Sequence, residues 1–399
     1  MTGERILTVN AGSSSIRVGL FSGHPKQEKP TPLARGKLDG IGIRPRLQVV
    51  QADGSSLAER TFPPAQVADM RAAFRLLEVT LGNDLRGERP VLVSHRVVHG
   101  GALFSAPMRV SPALLARLHT LESLAPLHQP YNLAPIQALL DTMPELPQVV
   151  CFDTAFHTGR SELSQLFALP YALYEQGIRR YGFHGLSFEY VSRRLAEVAP
   201  EITDGKVVIA HLGNGSSLCG VESGRSVEVT TSFSTLDGLP MGSRCGALDP
   251  GVLLHMLAGG ETADNLEELL YRRSGLLGIS GVSSDMLTLR ASQESRAKLA
   301  IDHYVYRIAQ EVGRLAASLG GLDALVFTAG IGEKDAELRA QVVDRLAPLF
   351  DLRLDADANR RHATRISSAN SARPLLVIAT DEESMLAEHA WRLYREDAL

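Results

Sequence analysis

The sequence has little cysteine, no long apolar run and only a small net charge, and each of these features excludes a class of protein. The cysteines are few, odd in number and widely spaced, which fits neither a disulfide framework nor a zinc site: Cys151, Cys219 and Cys245. No apolar run approaches the length of a bilayer span. A net charge of −4 over 399 residues gives no sign of a surface for nucleic acid or for an acidic membrane. We therefore expect a reduced protein that binds neither nucleic acid nor membrane.

The start and the length of the chain bear on its location and its domain count. Residues 1–5 (MTGER) lead straight into an apolar strand, without the apolar segment and cleavage site of a signal peptide, so we expect a cytoplasmic protein. A chain of 399 residues is too long for one hydrophobic core, and two domains are expected. Strand-like and helix-like segments alternate along both halves, which favours the α/β class.

An apolar strand that ends in a glycine- and serine-rich turn is the most informative local feature. Residues 6–10 form the strand, 11–15 form the turn, and a second apolar strand continues through residue 20. The N–H groups and hydroxyls of such a turn suit a phosphate, and Arg17 adds a fixed positive charge beside them. An ordinary hairpin with a Gly/Ser loop is the alternative. The same design recurs at residues 207–221, which we interpret as a second copy of one fold unit.

Two further segments give specific expectations. Residues 324–328 predict a strand, followed by a glycine turn at Gly330–Lys334 and a helix from Asp335 to Leu346. The N-terminus of that helix would face a nucleotide, although a helix cap explains a lone Gly-x-Gly as well. Residues 126–132 predict a proline-broken loop before a helix from Leu133 to Leu140.

Four polar residues stand where a strand or a glycine-rich loop ends: Arg96, Asp153, His184 and Arg244. Phosphoryl transfer needs a cation clamp, a metal ligand and an aligned nucleophile, and these residue types can supply them. Each also has a structural explanation: an internal salt bridge, a turn cap, a core histidine and a surface loop residue, respectively. The P-loop and protein-kinase motifs are absent. The residues alone therefore predict a two-lobed α/β enzyme that transfers a phosphoryl group.

Seven motifs, taken in their order, resemble those of the acetate kinase family of short-chain carboxylate kinases. The resemblance runs from Leu7 to Ala387, which is nearly the whole chain. The motifs are residues 9–15 (VNAGSSS), 95–101 (HRVVHGG), 124–128 (LAPLH), 152–157 (FDTAFH), 180–185 (RYGFHG), 211–216 (HLGNGS) and 327–333 (FTAGIGE).

The resemblance implies a fold, a reaction and partners. The fold is α/β, with duplicated actin-like, sugar-kinase-like (ribonuclease H-like) domains around an interdomain cleft. The first domain would span residues 1–152 plus a returning helix at 385–399, and the second, residues 153–384, would carry the nucleotide site. The reaction would be reversible transfer of the γ-phosphoryl group of ATP to acetate, giving acetyl phosphate and ADP, with Mg²⁺ or Mn²⁺. The partners would be these small molecules and a second copy of the chain in a homodimer.

The resemblance also implies roles for residues that match the family motifs. Asp153, His184 and Arg244 would be catalytic, and Asn10 and Glu382 would hold the metal. The substrate-binding residues would be Arg96, Val98, Leu127, His128, Phe183 and Thr235. The nucleotide-binding residues would be Arg17, His211, Leu212, Gly213, Asn214, Gly215, Asp285, Met286, Leu287, Gly330, Ile331, Gly332, Glu333 and Lys334.

Elementary chemistry agrees with these roles. Acetate is already ionised at neutral pH, so the nucleophile needs charge compensation rather than a strong base. Arg96 and Arg244 supply fixed positive charge with planar donor forks. Asp153 is therefore better interpreted as an organiser of metal or water than as a proton acceptor.

The chain departs from the usual family pattern at positions that bear on specificity. Arg17 and Lys334 replace a lysine and an asparagine, residues 128–132 (HQPYN) place Tyr131 where a methyl group is usual, and the segment at Asp285 ends without the usual arginine. Thr235 replaces a proline in the acyl pocket. The alternatives are a propionate or butyrate kinase of the same family and an actin-like or chaperone-type ATPase, which would have no use for a carboxylate clamp.

Overall fold

The structure is a computed structural model, and it describes residues 3–12, 15–84 and 89–397. The chain divides into two compact units: unit one holds Met1–Ala155 and Asp381–Leu399, and unit two holds Phe156–Thr380. The part of the predicted first turn formed by Ser13 and Ser14 lies outside the described residues. Within the described ranges, no helix combines the length and the apolar composition that a membrane crossing requires.

Unit one is built on an eight-stranded sheet in the order β5-β4-β3-β2-β1-β6-β8-β7. Its strands are β1 (Glu4–Ala11), β2 (Ser15–Gly23), β3 (Thr31–Asp39), β4 (Arg46–Gln51), β5 (Ser56–Thr61), β6 (Leu92–Val97), β7 (Met108–Arg109) and β8 (Gln148–Phe152). Its helices are α1 (Met70–Asp84), α2 (Pro112–His119) and α3 (Gln129–Thr142), with short 3₁₀ helices at Pro64–Val67 and Glu122–Leu124. β1 pairs in parallel with β6, and β6 with β8. The other neighbouring pairs are antiparallel.

Unit two is built on a five-stranded sheet in the order β11-β10-β9-β12-β13. Its strands are β9 (Lys206–Leu212), β10 (Ser216–Glu222), β11 (Arg225–Val229), β12 (Ala324–Thr328) and β13 (Leu375–Val377). Its helices are α4 (Glu162–Gln165), α5 (Tyr171–Glu175), α6 (Gly185–Val198), α7 (Pro250–Ala258), α8 (Ala263–Arg272), α9 (Gly275–Ser280), α10 (Met286–Ala291), α11 (Ser295–Leu319), α12 (Ala329–Lys334), α13 (Ala336–Phe350) and α14 (Ala356–Arg360), with 3₁₀ helices at Ala155–His157 and Pro200–Ile202. The chain then returns to unit one with α15 (Glu382–Asp397).

The two sheets repeat one topology. In unit one, β3-β2-β1-β6-β8 makes two antiparallel pairings followed by two parallel ones. In unit two, β11-β10-β9-β12-β13 makes the same series. The repeated hairpins β1–β2 and β9–β10 are the two turn-bearing segments that the sequence singles out. The duplicated α/β fold is therefore confirmed.

The central strands are buried on both faces because helices cover both sides of each sheet. Along β9, Val208 and Ala210 join a core on one face, whereas Val207 and Ile209 join the core on the other. Successive strand residues point to opposite faces, so only an uninterrupted apolar run can fill both cores. The apolar runs that predict the strands follow from this requirement.

The helix α15 is anchored to the sheet of unit one by its apolar face. It packs against β1, β2, β6 and β8. Trp391 is buried, and its indole N–H donates to the carbonyl of Gln27 at 3.0 Å. The ring packs so closely on Gly23 that a Cβ added there would lie 2.8 Å from the ring atoms. This anchoring places Glu382, the first residue of the helix, beside the central strands.

Two local predictions are wrong. The segment predicted as a loop before Leu133 is helical from Gln129, because Pro130 lies in the first turn, where its missing N–H is not needed. The predicted glycine turn at Gly330–Lys334 is itself the helix α12, which follows β12 directly. Ala329 makes this abrupt change of direction with a φ of 64°, a left-handed conformation that local propensity does not predict for alanine.

The unit boundaries fall between Ala155 and Phe156 and between Thr380 and Asp381, a few residues away from those expected. Asp153 therefore groups with unit one, as does Glu382. The N–H of Asp153 donates to the carbonyl of Val97 at 3.1 Å, which continues the alignment of β6 and β8 past the end of the sheet.

Candidate active site

Unit one brings four of the predicted site residues together at the ends of its parallel strands. β1, β6 and β8 are neighbours, so residues at their carboxyl ends share one edge of the sheet. The Arg96 side chain donates through Nε to Asp153 Oδ1 at 2.9 Å and through Nη2 to Asp153 Oδ2. Its Nη1 donates to Asn10 Oδ1 at 3.0 Å. The internal salt bridge considered for Arg96 exists, and it fixes the orientation of the guanidinium group.

Glu382 completes this group from the first turn of α15. Its Oε2 accepts from Asn10 Nδ2 at 3.4 Å and lies 3.9 Å from Arg96 Nε. Burial raises the pKa of Glu382 to about 7, and the charges of Asp153 and Glu383 add to this shift while that of Arg96 opposes it. Burial alone would lower the pKa of Arg96, but the Asp153 and Glu382 charges outweigh it and raise that pKa. Extra positive charge near Glu382 would therefore stabilise its ionised form.

Arg17 lies close to this group on β2. It is opposite Asn10 in the antiparallel register of β1 and β2, and its side chain is exposed. Its positive charge acts to lower the pKa of Glu382. The structure therefore places this predicted nucleotide residue beside the predicted metal ligands.

The loop that follows β6 is held by two amide side chains of α3. Asn132 Oδ1 accepts from the Val98 N–H at 2.9 Å, and its Nδ2 donates to the Ala11 carbonyl. Gln129 accepts from the His99 N–H at 3.1 Å and donates to the His99 carbonyl at 3.0 Å. These bonds fix the backbone beside Arg96. Neither amide was among the predicted site residues.

The predicted substrate residues of unit one lie around this loop. Val98 is buried, whereas Leu127 and His128 are half-buried and immediately precede α3. Tyr131, the bulky departure from the family pattern, is exposed in the first turn of that helix. Val98 is therefore the buried apolar member of these predicted substrate residues in unit one.

In unit two, two histidine rings stack beside the β9–β10 hairpin. The rings of His184 and His211 lie 4.2 Å apart between centroids and are inclined by 15°. His184 Nδ1 is hydrogen-bonded to Ser217 Oγ at 2.8 Å, and His211 Nδ1 to Ser187 Oγ at 2.8 Å. The two hydroxyls fix the planes of both rings. His184 has a φ of 59°, so it adopts a left-handed conformation immediately before α6.

Arg244 lies next to the same hairpin. A Cβ added to Gly215 would lie 3.3 Å from His184 Nε2 and 3.9 Å from Arg244 Nη1. The absence of a side chain at Gly215 therefore lets the imidazole and the guanidinium group approach the same point of the backbone. Arg244 Nη1 also donates to the Thr235 carbonyl at 3.3 Å, which brings a predicted substrate residue into the group.

The predicted nucleotide segments of unit two include the hairpin and helix starts. The hairpin at Gly213–Gly215 is fixed by Ser216, whose hydroxyl is hydrogen-bonded to Gly213 and to the buried Tyr304. The Asp285 carboxylate accepts from the N–H and hydroxyl of Thr288, so it caps α10. Within α10, Met286 is buried, whereas Leu287 is 76% exposed.

The helix α12, which carries the predicted nucleotide residues Gly330–Lys334, is fixed from behind by a buried arginine. Arg339 Nη1 donates to the carbonyls of Gly332 and Glu333, each at 2.8 Å. The Glu333 carboxylate accepts from the Thr380 N–H at 3.1 Å. No atom of the described residues lies within 4 Å of a Cβ added to Gly330, so this face of the helix is open.

The structure thus forms two groups from the predicted residues. Asn10, Arg96, Asp153 and Glu382 form the group of unit one, and His184, His211, Gly215 and Arg244 form that of unit two. Sequence reasoning missed the residues that support them, which include Gln129, Asn132, Ser187 and Ser217. The sequence signal for these was their position within four residues of the end of a motif.

Comparisons with known proteins agree with this arrangement. A family model described as the Acetokinase family matches residues 5–388. The chain belongs to this family. It is 49% identical over 391 residues to a protein named acetate kinase from Nitrobacter hamburgensis, which covers 98% of this chain and 96% of that protein. It is 45% identical over 395 residues to the acetate kinase of Rhizobium meliloti, covering 98% of each.

Solved structures extend the acetokinase similarity to the fold. A propionate kinase from Francisella tularensis superposes with a TM-score of 0.89 at 34% identity, covering 98% of this chain and 99% of that one. The acetate kinase of Porphyromonas gingivalis gives a TM-score of 0.85 at 33% identity, covering 98% and 100%. The predicted family and fold class are both confirmed.

We expect the acetokinase chain to lose stability in acid through two buried neutral histidines. Burial lowers the pKa of His95 and of His157 from 6.5 to about 3 in the folded state, and the charge of Arg160 adds to the shift of His157. Because each folded-state pKa is depressed, the stabilisation is complete above pH 6.5 and is lost as the pH falls from 6.5 towards 3. Each histidine contributes a slope of about 1.4 kcal/mol per pH unit within that window.

Urea unfolding of the wild type and of His157→Gln at pH 7, 6 and 5 measures this slope. The variant should be less stable at pH 7 but should lose less of its free energy of unfolding between pH 6 and 5. The other titrating groups are common to both proteins, so their effects cancel in the comparison. Parallel pH dependences would contradict the assignment of a neutral His157.

Proposed function

We propose that this chain is an acetate kinase that reversibly transfers the γ-phosphoryl group of ATP to acetate, forming acetyl phosphate and ADP. The observation that carries the proposal is the family match over residues 5–388, within which every residue of the two groups lies. An actin-like or chaperone-type ATPase is disfavoured, because such a protein has no use for arginines set as anion clamps. We further propose that the protein acts in the cytoplasm.

In this proposal Arg96 binds the acetate carboxylate. Three of its N–H groups bond to Asp153 and Asn10, and Nη1 and Nη2 each carry a second N–H that can donate to an anion. Asp153 is buried and both its oxygens accept from Arg96. Its proposed role is therefore to orient the clamp, and acetate needs no base because it is already ionised.

Asn10 and Glu382 fit the proposed metal. Mg²⁺ takes oxygen ligands and is commonly held by one or two carboxylates together with phosphate oxygens. The described residues contain no group of three His, Cys, Asp or Glu that could hold an ion by itself, so the nucleotide would complete the ligand set. The raised pKa of Glu382 supports this role. The ionised carboxylate has too little positive charge around it, and a divalent cation would supply that charge. When bound, the ion would neutralise negative charge on the phosphate oxygens.

Arg244 and His184 are proposed to stabilise the transferring phosphoryl group. Their side chains approach the same point beside Gly215, and guanidinium and imidazole N–H groups are strong donors to phosphoryl oxygens. The His184 ring is held by Ser217 and by the stacked His211, so the donor needs little reorganisation during the reaction. The segments at 211–215, 285–287 and 330–334, together with Arg17, are proposed to bind the nucleotide.

Propionate is the second candidate acceptor. The structure of a propionate kinase superposes with a TM-score of 0.89, and Thr235 stands where proline is usual in the acyl pocket. Val98 and Phe183, the apolar residues proposed to bind the acyl chain, are each buried in their own unit, and we propose an acceptor of two or three carbons rather than a longer one.

A coupled assay of the purified protein tests the proposed function. ATP, GTP and pyrophosphate are each paired with formate, acetate, propionate and butyrate, with Mg²⁺ or Mn²⁺ present. We expect the highest kcat/KM with ATP and acetate, and a lower but measurable value with propionate. A clear preference for propionate would correct the acceptor, and the absence of turnover with every pair would reject the kinase assignment.

Removing the guanidinium group of Arg244 should slow phosphoryl transfer strongly. We expect Arg244→Ala to reduce kcat about 10³-fold, by analogy with arginines that stabilise phosphoryl-transfer transition states. Arg244→Lys should recover only part of the loss, because it keeps the charge but not the planar fork. Arg365→Ala is the matched control, since Arg365 is an exposed arginine of the same unit that pairs with Glu201. Near-normal turnover in Arg244→Ala would reject its role.

We propose that the helix α7 forms part of a homodimer interface. None of its residues is buried, and Val252, Leu254 and Leu257 are exposed. A monomeric protein seldom leaves such an apolar helix uncovered, and a second copy of this chain presents the same surface to it. The interface would be isologous, as in most homodimers.

Sedimentation of a charged variant tests the dimer. The wild type should sediment with twice the mass of the chain, whereas Leu254→Glu combined with Leu257→Glu should sediment as a monomer. Leu349→Glu, which introduces one negative charge at an exposed leucine of α13, should stay dimeric. A double variant that remains dimeric would exclude α7 from the interface.

A further inference from the structure

The backbone that leads into His184 is hydrogen-bonded at nearly every polar group. The N–H groups of Tyr181 and Gly182 donate to the Ser232 carbonyl at 3.1 and 3.2 Å. The Phe183 N–H donates to Thr231 Oγ1 at 3.1 Å. The Arg180 N–H donates to the Gln165 carbonyl at 2.8 Å, so each N–H of the segment Arg180–Phe183 has an acceptor. The carbonyls of this segment require donors from elsewhere in the fold.

Those donors come from a buried arginine and a buried histidine. Arg160 Nη2 donates to the carbonyls of Arg180 and Tyr181, each at 2.7 Å. His157 Nε2 is 3.0 Å from the Phe183 carbonyl, and because a carbonyl can only accept, this nitrogen carries the proton. His157 Nδ1 then accepts from the Ser226 hydroxyl at 2.8 Å, as expected for a neutral ring.

Burying the Arg160 guanidinium group to hold these carbonyls is energetically unfavourable. The Arg160 side chain is fully buried, and among the described residues its one carboxylate partner is Glu228, which Nη1 reaches at 3.3 Å. Arg160 also donates to main-chain carbonyls, including that of His157 at 3.1 Å. Burying a guanidinium group with one counter-charge is unfavourable compared with an apolar side chain of similar volume. Stability alone therefore gives no reason for an arginine here.

These hydrogen bonds fix the backbone immediately before His184. His184 has a left-handed backbone at φ 59°, a conformation that persists in a non-glycine residue only where its surroundings fix it. Three of the four preceding carbonyls are held by Arg160 and His157. A shift of this segment would move the imidazole away from Ser217 and from the backbone of Gly215.

We propose that Arg160 is a positioning residue for the reaction: by holding the carbonyls of Arg180 and Tyr181, it fixes the His184 imidazole in its working orientation. The proposal rests on the proposed kinase function, in which His184 contacts the transferring phosphoryl group. Arg160 itself contacts no reactant.

A double-mutant cycle between Arg160 and His184 tests this coupling. We expect Arg160→Met to reduce kcat about 10- to 100-fold, since a displacement near 1 Å has such an effect on catalysis. The KM values for ATP and acetate should change by no more than about twofold, because substrate binding is retained. In a His184→Ala background, the same Arg160 substitution should change kcat by less than about twofold, because the group that it positions is absent.

Arg160→Lys and Leu195→Ala are the controls. Lysine keeps the charge but lacks the planar fork through which Nε and Nη2 of Arg160 reach separate carbonyls, so its kcat should lie between those of the wild type and Arg160→Met. Leu195 is buried in the core on α6, and its truncation destabilises the same unit without removing any of these hydrogen bonds. A kcat loss of equal size in Leu195→Ala, or an Arg160 effect of equal size in both His184 backgrounds, would overturn the proposal.

Hydrogen–deuterium exchange separates this proposal from the proposed function. Arg160→Met should raise exchange at the amides of residues 181–184 above the wild type and above Leu195→Ala, whether or not the protein turns over acetate. Unchanged protection of these amides would reject the positioning role. An inactive wild type with the expected exchange pattern would instead reject the kinase assignment, and the hydrogen bonds from Arg160 to the carbonyls would still be supported.

Discussion

The structure depends on the burial of charged side chains at the ends of parallel strands. A guanidinium group inside a protein is tolerated only if anionic and polar acceptors surround it. Arg96 meets this condition with Asp153 and Asn10, which come from the two strands on either side of its own. The alignment of β1, β6 and β8 therefore brings the charges together, and the pairing of the charges in turn fixes the ends of these strands.

The two units orient the polar side chains of their site groups with different partners. Unit one pairs its arginine with carboxylates, and burial, together with the charges of Asp153 and Glu383, raises the pKa of Glu382. Unit two fixes its histidines with neutral hydroxyls, those of Ser217 and Ser187, and contributes Arg244 as a cation. One group therefore suits a metal ion and the other suits a phosphoryl oxygen. This chemical division agrees with the roles proposed for them in phosphoryl transfer.

Sequence patterns predicted the strands, the duplication and the family, because uninterrupted apolar runs and ordered motifs are local signals. They failed at α12, where Ala329 takes a left-handed backbone that propensity does not favour, and at the start of α3, where Pro130 is compatible with a first helical turn. The groups around Arg96 and His184 involve predicted residues, whose catalytic roles stay predictions. The supporting amide of Asn132 was missed because its partners lie 34 and 121 residues away, and a local pattern carries no information about such bonds.

The structural and functional explanations of a polar residue are not exclusive in this fold. The sequence offered an internal salt bridge as the alternative to substrate binding for Arg96, yet the salt bridge is what gives its remaining N–H groups a fixed direction. The same reasoning applies to Arg160, whose bonds to main-chain carbonyls set the course of the segment before His184. Buried charges must be held by several partners, and a group that is held by several partners is already oriented. Preorganisation of the site is therefore a consequence of the hydrogen bonding that folding itself requires.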